Sequence, residues 1–223
     1  MFIDHFFHIL IRTYRSYLSA LDYTSIRHFN MIYKTGRSIG RIAFPLFCFL
    51  LVEGFFHTRD IRKYLLRLLV MALASEHAFN LLYSGQHLDL EGQNVFFTLL
   101  ISLLTIWGIS KIQNLTELPR EASVVLILLI TLAGCLTAYF LKTDYSYKGV
   151  LSVTVIYLLH NNRILSCLGG ALSFAWEPWA MPAFIPAFLY NGERGFKIKY
   201  AFYLFYPVHI YIIYLILNNI KIP

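Results

Sequence analysis

The sequence predicts an all-α fold, a polytopic helical bundle in a membrane with about 8–9 apolar segments, some short or broken. Of the 223 residues, 58% are hydrophobic and only 14% are charged, and the mean hydropathy is +0.59. A soluble domain carries roughly 25% charged residues. No internal repeat or low-complexity linker interrupts the chain, so we expect one integral-membrane domain over residues 1–223.

The apolar segments follow one another along the chain. Residues 1–11 are apolar but shorter than the roughly 20 residues that cross a bilayer, as if the start of a longer helix were missing. Residues 12–41 are expected to form a polar, aromatic-rich loop. Helical segments are predicted at 42–56, 64–83, 95–110, 122–141, 149–160, 164–176, 178–190 and 200–218. Glu177-Pro178 and two further prolines predict a broken helix there, which requires protein or water to satisfy the freed backbone groups.

The loop charges predict an orientation. Loops 57–63, 111–120 and 191–199 are net positive, whereas loop 84–94 is acidic. The positive-inside rule places the basic loops in the cytoplasm, although this scheme leaves the basic stretch 12–41 outside. The net charge of +7 therefore indicates membrane topology and not a nucleic-acid-binding face.

The cysteine positions and the absence of metal-binding motifs argue against a disulfide framework and against a metal site. Cys48, Cys135 and Cys167 all lie in apolar runs, where a thiol is typical of a small core residue and not of a disulfide or zinc framework. The chain has no HExxH, no paired CxxC and no carboxylate-rich DxD motif, so no metal is expected.

The run 36–67 combines an apolar helix with ionisable side chains. Glu53 and His57 are four residues apart and share a helix face. Arg59, Lys63 and Arg67 form a second stripe at helical spacing. Two interpretations fit this stripe: a positive-inside anchor, or a binding surface for a polyphosphate-bearing ligand.

Three sequence blocks resemble a known family. GRIAFPLFCFLLVEGFFHTRDIRKYLLRLL, TDYSYKGVLSV and LYNGERGFKIKYAFYLFYPVHIYIIYLI are similar to the TraX family, named for a conjugative-plasmid membrane protein implicated in N-terminal acetylation of pilin. Ile3–His5 resembles the first-helix motif, although the family has about two more helical turns before it. The loop 12–41 is longer than is typical of the family.

The resemblance implies an integral-membrane acyltransferase that takes acetyl groups from cytoplasmic acetyl-CoA. It implies a multi-pass protein of the bacterial plasma (inner) membrane, with membrane lipids around it and no nucleic acid as a partner. The acceptor would be an amine or hydroxyl, on a pilin-like protein or on a cell-surface glycan.

Acetyl transfer needs a base, and histidine is the usual one because its unperturbed pKa lies near neutrality. His5 is the first candidate, since it lies in an apolar segment and matches the family motif. Asp4 is adjacent to His5, and adjacent side chains on a helix point about 100° apart, so Asp4 is poorly placed to orient the His5 ring. A carboxylate from another segment, such as Glu53, is the better candidate for that role. His209, three residues after Tyr206, is the second candidate base. A buried histidine bonded to a neighbouring helix explains His209 equally.

Transfer from CoA also needs cations for its phosphates. Arg41 abuts the apolar run and is expected to pair with Glu53 or Asp4, to bind an anion, or to extend to the interface. The kink at Tyr206-Pro207 is a candidate wall of the donor channel. The predicted donor-binding residues are Arg41, Arg59, Arg62, Lys63, Arg194 and Tyr206, with Lys197 and Lys199 beside them.

Three further acidic residues have simpler explanations. Glu76 lies inside an apolar segment, where a salt bridge is expected to neutralise it. Asp144 and Glu177 lie near helix ends, and capping or an interfacial position explains them.

Two other functions fit the composition. A small-solute transporter or flippase would use broken helices and intramembrane charges, although such folds usually show repeats. A non-catalytic conjugation or envelope assembly factor would need no chemistry at all.

Overall fold

The computed structural model describes residues 1–18, 23–193 and 199–219. The described residues form ten α-helices and one 3-10 helix, and they contain no strand, so the all-α prediction is confirmed. The helices are α1 Phe2–Leu18, α2 Tyr23–Arg41, α3 Ala43–His57, α4 Ile61–Tyr83, α5 Val95–Gln113, α6 Arg120–Phe140, α7 Ser146–Leu158, α8 Arg163–Ser173, α9 Phe184–Phe188 and α10 Lys199–Asn219, with the 3-10 helix at Pro178–Ala183.

Four helical stretches are long and apolar enough to cross a membrane by length and composition. They are Tyr23–His57, Ile61–Tyr83, Val95–Gln113 and Arg120–Phe140. The helix predicted at 178–190 is broken as expected, into the 3-10 helix and the short α9. The prolines that break it therefore lie where the bundle folds back on itself.

The prediction that residues 12–41 form a loop is wrong. Within this stretch α1 continues to Leu18, and Tyr23–Arg41 is the helix α2. The backbone at Ile42 is helical, so α2 runs almost directly into α3. Gly36 and Gly40 are the buried positions at which α1 and α2 pack together.

The bundle has two ends, named here by their loops. At the acidic end lie loops 84–94 and 141–145, joined by a β-bridge between Gln93 and Thr143. At the basic end lie the turns after α3, α5 and α7. There the Tyr157 hydroxyl donates a hydrogen bond to the Gln113 side chain over 2.8 Å.

The direction of α10 differs from the charge-based prediction. The Tyr206 ring lies 5.0 Å from that of Phe96, at the acidic end, whereas Tyr211 is hydrogen-bonded to His77, farther down α4. Helix α10 therefore runs antiparallel to α4 and begins, at Lys199, at the acidic end. The expectation that loop 191–199 shares a side with loop 57–63 does not hold for the start of α10.

The core lies between α3, α5, α7 and the broken region. Val52, Leu103, Ile106, Ile156 and Phe174 are fully enclosed. Helix α6, by contrast, leaves most of its leucine and valine side chains exposed. An exposed apolar face of this extent suits a lipid environment. Polar residues of three other helices are buried as well: His5 on α1, Asn80 on α4 and His209 on α10.

Candidate functional site

Two histidines meet in the interior near the acidic end. His5 on α1 and His209 on α10 are 4% and 2% exposed, and their ring centroids are 5.4 Å apart. Tyr206 packs edge-on against both rings, at 6.0 Å from His5 and 5.3 Å from His209. The two candidate bases predicted from sequence are therefore neighbours, and Tyr206 belongs with them and not with the predicted cation surface.

In both imidazole rings, Nδ1 is the nitrogen that makes a hydrogen bond. His5 Nδ1 is 2.7 Å from the hydroxyl of Tyr83, the last residue of α4. His209 Nδ1 donates to the Phe205 carbonyl over 2.7 Å, because a carbonyl can only accept. Nε2 of the neutral His209 ring therefore carries a lone pair, and it is buried without a hydrogen-bond partner among the described residues.

Asp4 does not orient His5. Its carboxylate lies 2.7 Å from Arg37 Nη1 and 3.9 Å from Arg41 Nε. Arg41 also lies 3.3 Å from the Glu177 carboxylate, so Glu177 is an ion-pair partner and not merely a capping residue. The predicted pairing of Arg41 with Asp4 is confirmed, and the pairing with Glu53 is wrong.

A close helix contact makes this ion network possible. A Cβ atom on Gly40 would lie 2.7 Å from the Asp4 Cα, too near for any other residue. Only glycine therefore lets α1 approach α2 closely enough for Asp4 to reach Arg37 and Arg41. The same contact holds His5, the next residue, in the interior.

The structure also places Glu53 far from His5. Its carboxylate is 2.9 Å from Arg163 Nη1 and 3.3 Å from His160 Nε2, at the basic end. Glu53 follows Arg41 by 12 helical positions, about 18 Å along the helix. The expectation that Glu53 orients His5 is therefore wrong, and Tyr83 takes that position.

The predicted phosphate-binding cations lie at the basic end as well. Arg59, Arg62 and Lys63 are exposed around the start of α4. Asp60 caps this helix by accepting from the backbone N–H groups of Lys63 and Arg62, and these bonds lower the pKa of the Asp60 carboxyl. Arg194 lies outside the described residues. Arg59, Arg62 and Lys63 therefore lie at the opposite end of the bundle from the histidines, whereas Arg41 lies near the histidines, where it pairs with Asp4.

Sequence reasoning missed Tyr83 and Asp144. Asp144 lies in the loop before α7, half-buried, and its backbone N–H donates to the Gln93 carbonyl over 2.8 Å. Burial raises the pKa of its carboxyl to about 6, although Arg41 opposes the shift. The clustered aromatic and charged residues of TDYSYK were the available signal for Asp144, whereas nothing in the sequence relates Tyr83 to His5.

The raised pKa of Asp144 predicts a pH-dependent stability. The folded protein binds this proton more tightly than the unfolded chain, so the free energy of unfolding falls as pH rises from about 4 to about 6. We expect Asp144→Asn to be more stable than wild type by about 2 kcal/mol at pH 7.5, and equally stable near pH 4. Melting temperatures in detergent across this range measure the difference.

The exposed Glu91 is the matched control for that series. Its carboxylate pairs with Lys142 at the same end of the bundle but is 81% exposed. Glu91→Gln should leave the pH dependence of melting as in wild type. An Asp144→Asn profile parallel to wild type across the whole range would contradict the assigned burial.

Comparison with known proteins identifies relatives. The family model described as "TraX protein" matches residues 1–217. A protein of Dichelobacter nodosus, named "Probable fimbrial assembly protein FimC, serogroup H1", is 32% identical over 203 residues. That match covers 80% of this chain and 81% of the relative. No solved structure matches the chain.

Proposed function

Because this chain belongs to the TraX family, we propose that it is an integral-membrane acetyltransferase with acetyl-CoA as donor and an amine or hydroxyl as acceptor. One observation carries the proposal. The His5 imidazole is buried beside His209, with Nδ1 engaged by Tyr83. A ring held in this way has one nitrogen available for chemistry.

His5 acts as the general base in this mechanism. When its Nδ1 carries the proton and donates to the Tyr83 oxygen, Nε2 carries the lone pair. Nε2 takes the proton of the acceptor N–H or O–H as that atom attacks the thioester carbonyl. The C–S bond then breaks, the proton on His5 Nε2 passes to the leaving sulfur so that CoA departs as the thiol, and the acetyl group stays on the acceptor. General-base catalysis of this kind contributes about 10²–10⁴-fold to a rate.

Tyr206 is the donor best placed to stabilise the oxyanion that forms during this attack. Its ring packs against both histidines, and its side chain is 3% exposed. A hydroxyl donor in a water-poor site stabilises developing charge more than the same donor in water. Its neutral phenol adds no charge to the resting site.

The separation of charges supports a two-sided reaction. Arg59, Arg62 and Lys63 surround the basic end, where they would hold the CoA phosphates. Helix α3, with 15 residues, covers about 22 Å between that end and the histidines. The donor would therefore enter at the basic end, in the cytoplasm, with its thioester extended through the interior, and the acceptor would arrive at the acidic end.

The acceptor is proposed from the relative. Since that protein is named a fimbrial assembly protein, a pilus or fimbrial subunit is the acceptor we favour, ahead of a cell-surface glycan. The same name favours a second candidate function, an assembly factor in the inner membrane without chemistry. His209 Nε2 is buried and has no hydrogen-bond partner among the described residues, and this observation favours catalysis over a purely structural role.

The test is release of free CoA thiol by the purified protein in detergent, with acetyl-CoA and a pilin-derived peptide. Wild type should release thiol and acetylate the peptide at matching rates. An assembly factor would release none and would not bind acetyl-CoA. A flippase would release none but would move a solute across reconstituted vesicles.

A further inference from the structure

Two histidines outside the interior site form a contact near the acidic end. His77 lies on α4, and His87 lies in the loop 84–94 that follows this helix. Nε2 of His77 is 3.1 Å from Nδ1 of His87, and the two rings are nearly parallel, with an interplanar angle of 21°. Their spacing of ten residues matches none of the common metal motifs, so the sequence alone does not indicate this pair.

Tyr211 on α10 orients the ring of His77. Its hydroxyl is hydrogen-bonded to Nδ1, the ring nitrogen that does not face His87. When Nδ1 carries the proton and donates it to the Tyr211 oxygen, Nε2 holds a lone pair directed at His87. A histidine that binds a metal almost always donates its other ring N–H to an oxygen acceptor, which fixes the tautomer. His77 therefore has the surroundings of a metal ligand.

The separation of the two facing nitrogens fits a shared ion. An imidazole nitrogen binds zinc at about 2.0–2.1 Å. At that bond length, two nitrogens 3.1 Å apart subtend an angle of about 100° at the ion. This angle lies between the roughly 90° of octahedral and the roughly 109° of tetrahedral coordination. Both histidines are exposed, so water can reach the ion and fill its remaining positions.

The surroundings of the pair suit a cation. The loop 84–94 contains Asp89 and Glu91 and no lysine or arginine, and Glu76 is adjacent to His77 on α4. Without an ion, a single proton lies between the two rings, donated by His87 Nδ1 to His77 Nε2. When an ion takes its place, His87 carries this proton on Nε2 instead, and both facing nitrogens offer lone pairs. Binding therefore requires no loss of a proton from either neutral ring.

We propose that His77 and His87 bind a divalent transition-metal ion of the zinc, nickel or copper type, the ions that imidazole ligands favour. The described residues contain no cluster of three or more His, Cys, Asp or Glu side chains able to hold an ion. The two imidazoles are therefore the ligands that the protein supplies, and water completes the coordination. The inference is independent of the proposed acyl transfer, because neither histidine belongs to the interior site.

The ion would hold the loop 84–94 to the bundle. It would join His87 directly to α4 and, through Tyr211, to α10. The other end of this loop is already joined to the loop 141–145, by the bridge between Gln93 and Thr143 and by the ion pair of Glu91 with Lys142. The metal would therefore fix the half of the loop that these contacts leave unconnected.

The test is binding of Zn²⁺ to the purified protein in detergent, without a histidine tag and after removal of metal with a chelator. Equilibrium dialysis should give one ion per chain, and added Zn²⁺ should raise the melting temperature of wild type. His87→Gln should bind Zn²⁺ at least tenfold more weakly, because one of the two imidazoles is lost. Tyr211→Phe keeps both imidazoles and should weaken binding about tenfold, as loss of an outer-shell partner does. Mg²⁺, which prefers oxygen ligands, should have no effect on the melting temperature.

His28→Gln is the matched control, since His28 is exposed on α2, and it should bind Zn²⁺ as wild type does. Equal binding by His87→Gln and wild type overturns the inference, and so does the absence of binding to wild type. An equal loss of binding in His28→Gln and His87→Gln also overturns it, because the ion would then not be held by this pair. His87 lies in an exposed loop, so its replacement should leave the melting temperature of the metal-free protein unchanged.

Discussion

His5→Ala should lower acetyl transfer by about 10²–10⁴-fold, because the reaction loses its general base. The variant also removes the 2.7 Å hydrogen bond between His5 and the Tyr83 hydroxyl. His5→Asn is the companion variant, since its amide can replace the Nδ1 hydrogen bond but cannot take a proton at neutral pH. Both variants should still bind acetyl-CoA, because Arg59, Arg62 and Lys63 lie at the other end of the bundle. Initial rates of peptide acetylation, with donor binding measured separately, check this result.

His209 is the comparison that tests the choice of base. Its Nε2 is buried and unpartnered, 5.4 Å from His5 by ring centroids, so it is the other lone pair in the site. We expect His209→Ala to lower the rate less than His5→Ala. His28, exposed on α2, is the matched histidine whose replacement should change nothing. Retention of full activity by His5→Ala, with its loss in His209→Ala, would exchange the two roles.

The fold could be predicted because apolar length decides it. Helices α3 to α8 and α10 begin or end within a few residues of the apolar segments. The prediction failed at 12–41 because it rested on the polar, aromatic-rich composition of that stretch, which does not show how two helices pack. Gly36 and Gly40 would lower the helix propensity of the segment in isolation. In the bundle they allow α1 to pack against α2, and that contact outweighs the propensity.

The site was only partly predictable because its members come from distant parts of the chain. His5 and His209 were found from their residue type and their apolar surroundings. Tyr83 lies 78 residues from His5, and no periodic pattern relates the two. Glu53 was assigned to His5 because both are ionisable residues in apolar runs. Sequence does not show that His5 lies at the level of Arg41, 12 helical positions from Glu53, so Glu53 was paired with the wrong group.

The ion pair that Glu53 makes instead has a large expected effect on stability. Glu53 is 5% exposed, and Arg163 Nη1 is its nearest cation, at 2.9 Å. Arg163→Met should lower the free energy of unfolding by about 3 kcal/mol, because a buried carboxylate loses its main counter-ion. His160, at 3.3 Å, would have to gain a proton to replace it. Denaturant unfolding in detergent measures the change.

Glu53→Gln tests whether the unpaired charge, and not lost packing of the arginine, causes that instability. Combined with Arg163→Met, it should recover about half or more of the lost free energy, because the double variant leaves no buried charge. Arg163 also packs over the rings of Phe49 and Tyr190, and that contribution would not be recovered. The exposed pair of Lys142 and Glu91 is the matched control, and Lys142→Met should cost less than about 1 kcal/mol. If Arg163→Met costs no more than Lys142→Met, Glu53 is solvated, and the basic end is open to water where α3 and α8 meet.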